Sequence, residues 1–170
     1  VRFEYAHLWV GGDMEERFTN SNVVGGSISY KTGNNWQFGV NGAMHFSNKV
    51  KVNGLLDDVI NDAGDVTDAD GELVKINYEH RGLSFFAQAG KVFPIFNSNT
   101  TSGLLTQFGI GYLQHRIKVD YRDGTVYQLE EEDLKGYDRL SSGLALKQFV
   151  GYQYFGPSNL LNFYVGVEFM

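Results

Sequence analysis

The chain has no cysteine and only two prolines among its 170 residues. The first absence excludes a disulfide scaffold and any thiolate-bound metal. The second leaves extended segments free of residues that would break a hydrogen-bonded ladder. No run approaches the roughly 18 apolar residues of a transmembrane helix, and average hydropathy is slightly polar. Low windowed hydropathy does not make a chain soluble, because a membrane barrel alternates lipid-facing and lumen-facing residues. Basic charge is also scarce: 14 Lys and Arg stand against 20 Asp and Glu, for a net charge of −6. With no basic patch interleaved with aromatics, nucleic acid is not an expected partner. Catalytic signatures are missing too. His7, His45, His80 and His115 are scattered, and neither GxSxG nor HExxH occurs. Ser141 and Ser142 have no sequence-evident His partner, and a convergence in space is not readable from sequence. The expectation is therefore no enzyme and no cofactor.

What the chain does have is 21 glycines and 15% aromatic residues, a composition suited to one all-β domain over 1–170 with many turns. The stretch Trp36–Phe46, WQFGVNGAMHF, organises it. Trp36, Phe38, Val40, Met44 and Phe46 recur at every second position, against Gln37, Gly39, Asn41, Ala43 and His45. Successive side chains of a strand point to opposite faces, so this period gives one greasy and one small or polar face and excludes an amphipathic helix. Its length matches the roughly 9–11 residues of a strand crossing a bilayer at a tilt. Similar alternation predicts strands over 2–10, 23–31, 73–93, 103–122, 139–155 and 161–170. Thr32-Gly33-Asn34-Asn35 predicts a tight hairpin, since Gly and Asn tolerate positive φ. The long segment 47–71 is expected to be loop, apart from one helical turn that fits 54–60. Val1 opens directly in strand-like sequence, so a leader is expected to have been removed or left out.

Three regularities point to an antiparallel up-and-down transmembrane β-barrel. Long polar connections (11–22, 47–71, 123–138) alternate with short ones (32–35, 94–102, 156–159), as at the two rims of an outer-membrane barrel. Tyr30, Trp36, Phe93, Phe96, Tyr152, Tyr154, Phe155 and Phe163 all flank the short turns, which predicts an aromatic girdle at the periplasmic side. The inward face reads Gly, Ser, Gln, Asn and Lys, the reverse of a soluble barrel. Seven strands are odd where bacterial single-chain barrels use even numbers. Eight strands are therefore expected, with the last one missing after Met170 and an unpaired gap between the first and last strands. A soluble lipocalin-like carrier is the first alternative and predicts a hydrophobic cavity. A membrane-embedded lipid-modifying enzyme is the second and predicts a Ser and a His meeting near the outer rim.

An eight-stranded barrel is filled by its own side chains. Glu4, Asn41, His45, Gln88, Lys147 and Glu168 are the candidate lumen plug. A buried Lys147 needs a partner, so pairing with Glu168 or Glu4 is expected. The outer loops are acidic: Asp57, Asp58, Asp62, Asp65, Asp68 and Asp70 in one, Glu130, Glu131, Glu132 and Asp133 in another. Asp65, Asp68 and Asp70 miss EF-hand spacing, with no Glu in register. No resident metal is expected, although such loops suit divalent ions bridging to lipopolysaccharide or the basic face of a partner protein.

Several stretches resemble a family of small outer-membrane β-barrel proteins of the Bacteroidota. They are GKVFPIFNSNTTSGLLTQFGIGYLQHRIKV, KGYDRLSSGLALKQFVGYQYF, NLLNFYVGVEFM, the early TGNNWQFGVNG and the GGD of the first loop. These are turn, glycine and girdle motifs, so the resemblance is specific for fold and implies no catalytic residues. It implies an outer-membrane location in a Gram-negative bacterium and an accessory or scaffold role in an envelope machine, of barrel-assembly or type IX secretion type. Membrane lipid, lipopolysaccharide included, and larger outer-membrane subunits are the implied partners.

Overall fold

The structure, a computed structural model, describes residues 1–52, 61, 65–67, 71–95, 101–121, 140–156 and 162–170. Its strands are β1 (Arg2–Leu8), β2 (Ser21–Lys31), β3 (Trp36–Ser47), β4 (Asp65–Thr67), β5 (Leu73–Phe93), β6 (Gly103–Tyr121), β7 (Ser141–Phe155) and β8 (Asn162–Phe169). A single 3-10 turn, Gly12–Met14, lies between β1 and β2, and no α-helix occurs among the described residues. The order β1-β2-β3-β5-β6-β7-β8 is antiparallel throughout, and β4 hangs on the outer end of β5 alone. The result is an all-β, up-and-down sheet of seven strands curled into a half-barrel.

Period-two alternation sets the two faces. Along β3 the outward set is Trp36, Phe38, Val40, Met44 and Phe46, all exposed or half-exposed, while Gln37, Asn41 and His45 are buried on the concave side. The β2–β3 hairpin closes where expected. Asn35 takes φ 64°, and the Thr32 amide donates to the Trp36 carbonyl across the turn at 2.8 Å.

Three expectations need correcting. The first strand stops at Leu8 and the second starts at Ser21, because Val10 turns inward to pack with Met14 around Phe18. The segment 47–71 is not all loop: Val66, between Asp65 and Thr67, is buried where β4 pairs Val66 with Val74. The proposed helical turn at 54–60 lies outside the described residues. The inward face is also not uniformly polar. Val92, Leu105 and Phe149 form a dry cluster with Tyr164 near the short turns, and Phe18 and Ile117 form another near the long connections. A tightly curved sheet brings inward side chains together, and apolar rings fill that space where polar ones would lack partners.

Glycine makes room for the first cluster. A Cβ on Gly151 or Gly166 would sit 2.6–2.7 Å from the Phe149 ring carbon Cζ. Both positions are therefore fitted to that ring. β1 and β8 form the two edges of the sheet, each with one neighbour, and an odd number of antiparallel strands makes them run parallel to each other.

Candidate functional site: a polar concave face between two rims

The concave face carries a continuous polar network. Lys147, buried on β7, donates to Asn41 Oδ1 at 3.0 Å and to Glu168 Oε2 at 3.1 Å. Its ammonium also stands 4.8 Å from the centre of the Phe86 ring. The aliphatic stem needs the missing side chain of Gly109, where a Cβ would lie 2.8 Å from Lys147 Cγ. Asn41 Nδ2 in turn donates to Glu4 Oε2 at 2.6 Å, and Tyr164 lies beside Glu4. Of the two partners considered for Lys147, Glu168 meets it directly and Glu4 meets it through Asn41. His45 Nε2 lies 3.0 Å from Ser84 Oγ, nearer the long connections. Gln88 is buried on the same face.

Closer to the short turns, Arg2 Nη2 donates to Gln37 Oε1 at 2.8 Å and to Gln153 Oε1 at 2.6 Å. Its guanidinium also stands over the Tyr164 ring at 5.2 Å. Arg2 and Glu4 thus tie β1 to β3, β7 and β8 across the concavity, although the two edge strands share no ladder. Sequence reading missed Arg2, Gln37, Gln153 and Tyr164. The signal was available, since each has the inward parity of the plug residues on its own strand.

The convex face is the inverse. Phe3, Tyr5, Val24, Ile28, Val40, Met44, Phe85, Phe108, Ile110, Leu144, Leu146, Val165 and Val167 are all exposed. On β6 this stripe runs from Leu104 to Tyr112 and ends there, since Gln114, Arg116 and Lys118 take the outward positions beyond. Tyr30, Trp36, Phe93, Tyr152, Tyr154 and Phe163 lie along its short-turn edge, linked by registers such as Leu104↔Tyr152 and Tyr154↔Phe163. Trp36 stacks on Phe38, and Tyr154 on Phe163. Lys91 reaches over Trp36 and Phe93. Phe155 has inward parity and meets Lys31 instead. Phe96 lies outside the described residues. So do Asp57, Asp58, Asp62, Asp68, Asp70, Glu130, Glu131, Glu132 and Asp133, while Asp65 opens β4. Among the described residues no group of three potential metal ligands converges.

Ser and His do meet, at places the sequence did not indicate. Ser21 Oγ lies 2.9 Å from His80 Nδ1, and Ser141 stands opposite His115 in register. Hydrolysis requires a reachable hydroxyl and an acceptor that orients the imidazole. Ser21 and Ser84 are fully enclosed, and the charges felt by the His80 ring come from His115, His45 and Arg81. The Ser21–His80 and Ser84–His45 pairs are buried hydrogen bonds, while Ser141 and His115 are half-buried. Above the level of Tyr112, burial first, then His115, His45 and Arg81, push His80 down to about 4. Burial and Arg17 lower His115 as well.

Comparison with known proteins returns nothing: no family model matches the chain, nor does any curated protein or solved structure.

Proposed function

We propose that this chain is the wall of an outer-membrane β-barrel, non-catalytic, serving as an accessory or scaffold subunit of an envelope machine of barrel-assembly or type IX secretion type. One observation carries the membrane reading: all seven sheet strands expose an apolar convex face, and the concave face is a charge-paired polar network. A water-soluble carrier would need the reverse arrangement. Leu104 to Tyr112 spans about 27 Å of strand at about 3.4 Å per residue, similar to the roughly 25 Å apolar band of such barrels. The row from Tyr30 to Phe163 then serves as the interfacial girdle on the periplasmic side, and the long connections face outward. β1 and β8, which run parallel, are the two edges of this curved wall.

The scaffold reading draws on the burial of Ser21 and Ser84 beside their His partners, and on the resemblance to small Bacteroidota barrels described above. Lipid, lipopolysaccharide and larger outer-membrane subunits are the partners it implies. The test is a mild-detergent pulldown of the tagged protein from native membranes, read by mass spectrometry. Stoichiometric recovery with a large assembly or secretion component is the expected result. Recovery alone from the membrane fraction removes the partner claim, and recovery from the soluble fraction overturns the barrel.

A further inference from the structure

Over the outer mouth of the concave face, at the end nearer the long connections, Phe18 packs from a connection together with Val10, Met14, Val50 and Val52. Phe18 follows the 3-10 turn between β1 and β2 and is only 2% exposed. Its ring lies 4.2 Å from the His80 ring and meets the edge of His115 at 5.3 Å. The backbone is pinned lightly: the Phe18 amide donates to the Met14 carbonyl at 2.9 Å, the Lys51 amide donates to the Arg17 carbonyl at 2.9 Å, and Phe18 bridges to Val50. Beneath it, His80 has Nδ1 against Ser21, but among the described residues its buried Nε2 has no hydrogen-bond partner, and neither does the buried Nδ1 of His115.

A neutral imidazole tolerates one unfilled nitrogen at modest cost. A protonated one would present a buried N–H donor and a full charge with no acceptor among the described residues. The charges felt by His80 there come from His115 on β6, His45 on β3 and Arg81 on β5, and the charge felt by His115 comes from Arg17 on the β1–β2 connection. All are cationic or become so on protonation. Solvent relieves a charged ring, and it reaches the rings once Phe18 leaves.

We propose that Phe18 is a proton-released latch: seated on neutral His80 and His115 it closes the outer mouth, and acid unseats it. This holds independently of the membrane reading. The sign follows from linkage. A ring whose protonation is suppressed in the closed state leaves closure unaffected above its ordinary range near 6.5 and weakens it as pH falls toward about 4. Across that window the closing equilibrium weakens as pH falls.

The experiment is methyl NMR of the detergent-solubilised full chain, following Ile117, which packs on Phe18, and Val92 and Leu105 in the other cluster. On going from about pH 7 to about pH 4, the ring-current shift of Ile117 should collapse while Val92 and Leu105 hold. In H80F, and separately in H80Q, the shift should persist to markedly lower pH. An Ile117 signal that ignores acid overturns the latch. So does collapse at the same pH in both variants, or collapse together with Val92 and Leu105, which would mark global unfolding.

Discussion

Lys147 shows how much a single inward cation demands. Its side chain is 4% exposed, with the ammonium held by Asn41, Glu168 and the Phe86 face, while the Glu168 side chain is 36% exposed at the sheet edge. Removing one partner of a fully buried pair costs about 3–5 kcal/mol. Solvent at Glu168 lowers this, so E168L should cost about 2 kcal/mol in urea unfolding from lipid vesicles. The double variant K147M/E168L should regain most of that loss, because an apolar pair leaves no charge stranded. A double variant no more stable than E168L alone would mean that the pair is held mainly by its other contacts. Part of this site was legible in the sequence. Parity alone placed Lys147, Asn41, Glu4 and Glu168 on one face, and the need to pair a buried charge named Glu168. Arg2 was not legible as a bridge, because its role depends on the curl that brings β1 to Gln153 of β7.

At the scale of elements, the strands follow from a two-residue period that persists long enough to be unmistakable, as in β3 and β5. β4 escaped notice because three residues carry no period, and its place is set by Val66 docking on Val74. Phe18 escaped for a related reason: one aromatic in a polar connection gives no pattern until the fold seats it on His80. The outward stripe makes a position-dependent prediction. F108R, at the middle of the apolar run on β6, should destabilise the vesicle-inserted chain by about 2–4 kcal/mol, while Q114R beyond its edge should cost about 0–1 kcal/mol. Equal costs at both positions would remove the belt. Between β7 and β8, G151V should lose about 1–3 kcal/mol, because its side chain collides with the Val165 carbonyl and the Phe149 ring. A neutral outcome would mean that Phe149 has room to swing aside.

For the whole molecule, the described residues form a curved wall with a largely polar inner surface, a greasy outer one and β1 and β8 as its two edges. Its architecture was readable because face, rim and connection length all repeat from strand to strand. How the edges are held was not readable, since Arg2, Glu4 and Tyr164 cross the concavity by side chains alone. Among the described residues the tallest feature is the β5–β6 hairpin. From Tyr112 to Tyr121 the ladder continues past the apolar stripe for about 30 Å at about 3.4 Å per residue, with Asn77 still paired to Asp120 near its top. In the proposed orientation that ladder is a mast. On that reading it lifts β4 clear of the apolar stripe, so that, of the described residues, an approaching phage, antibody or neighbouring cell would meet the masthead first and the curved wall last.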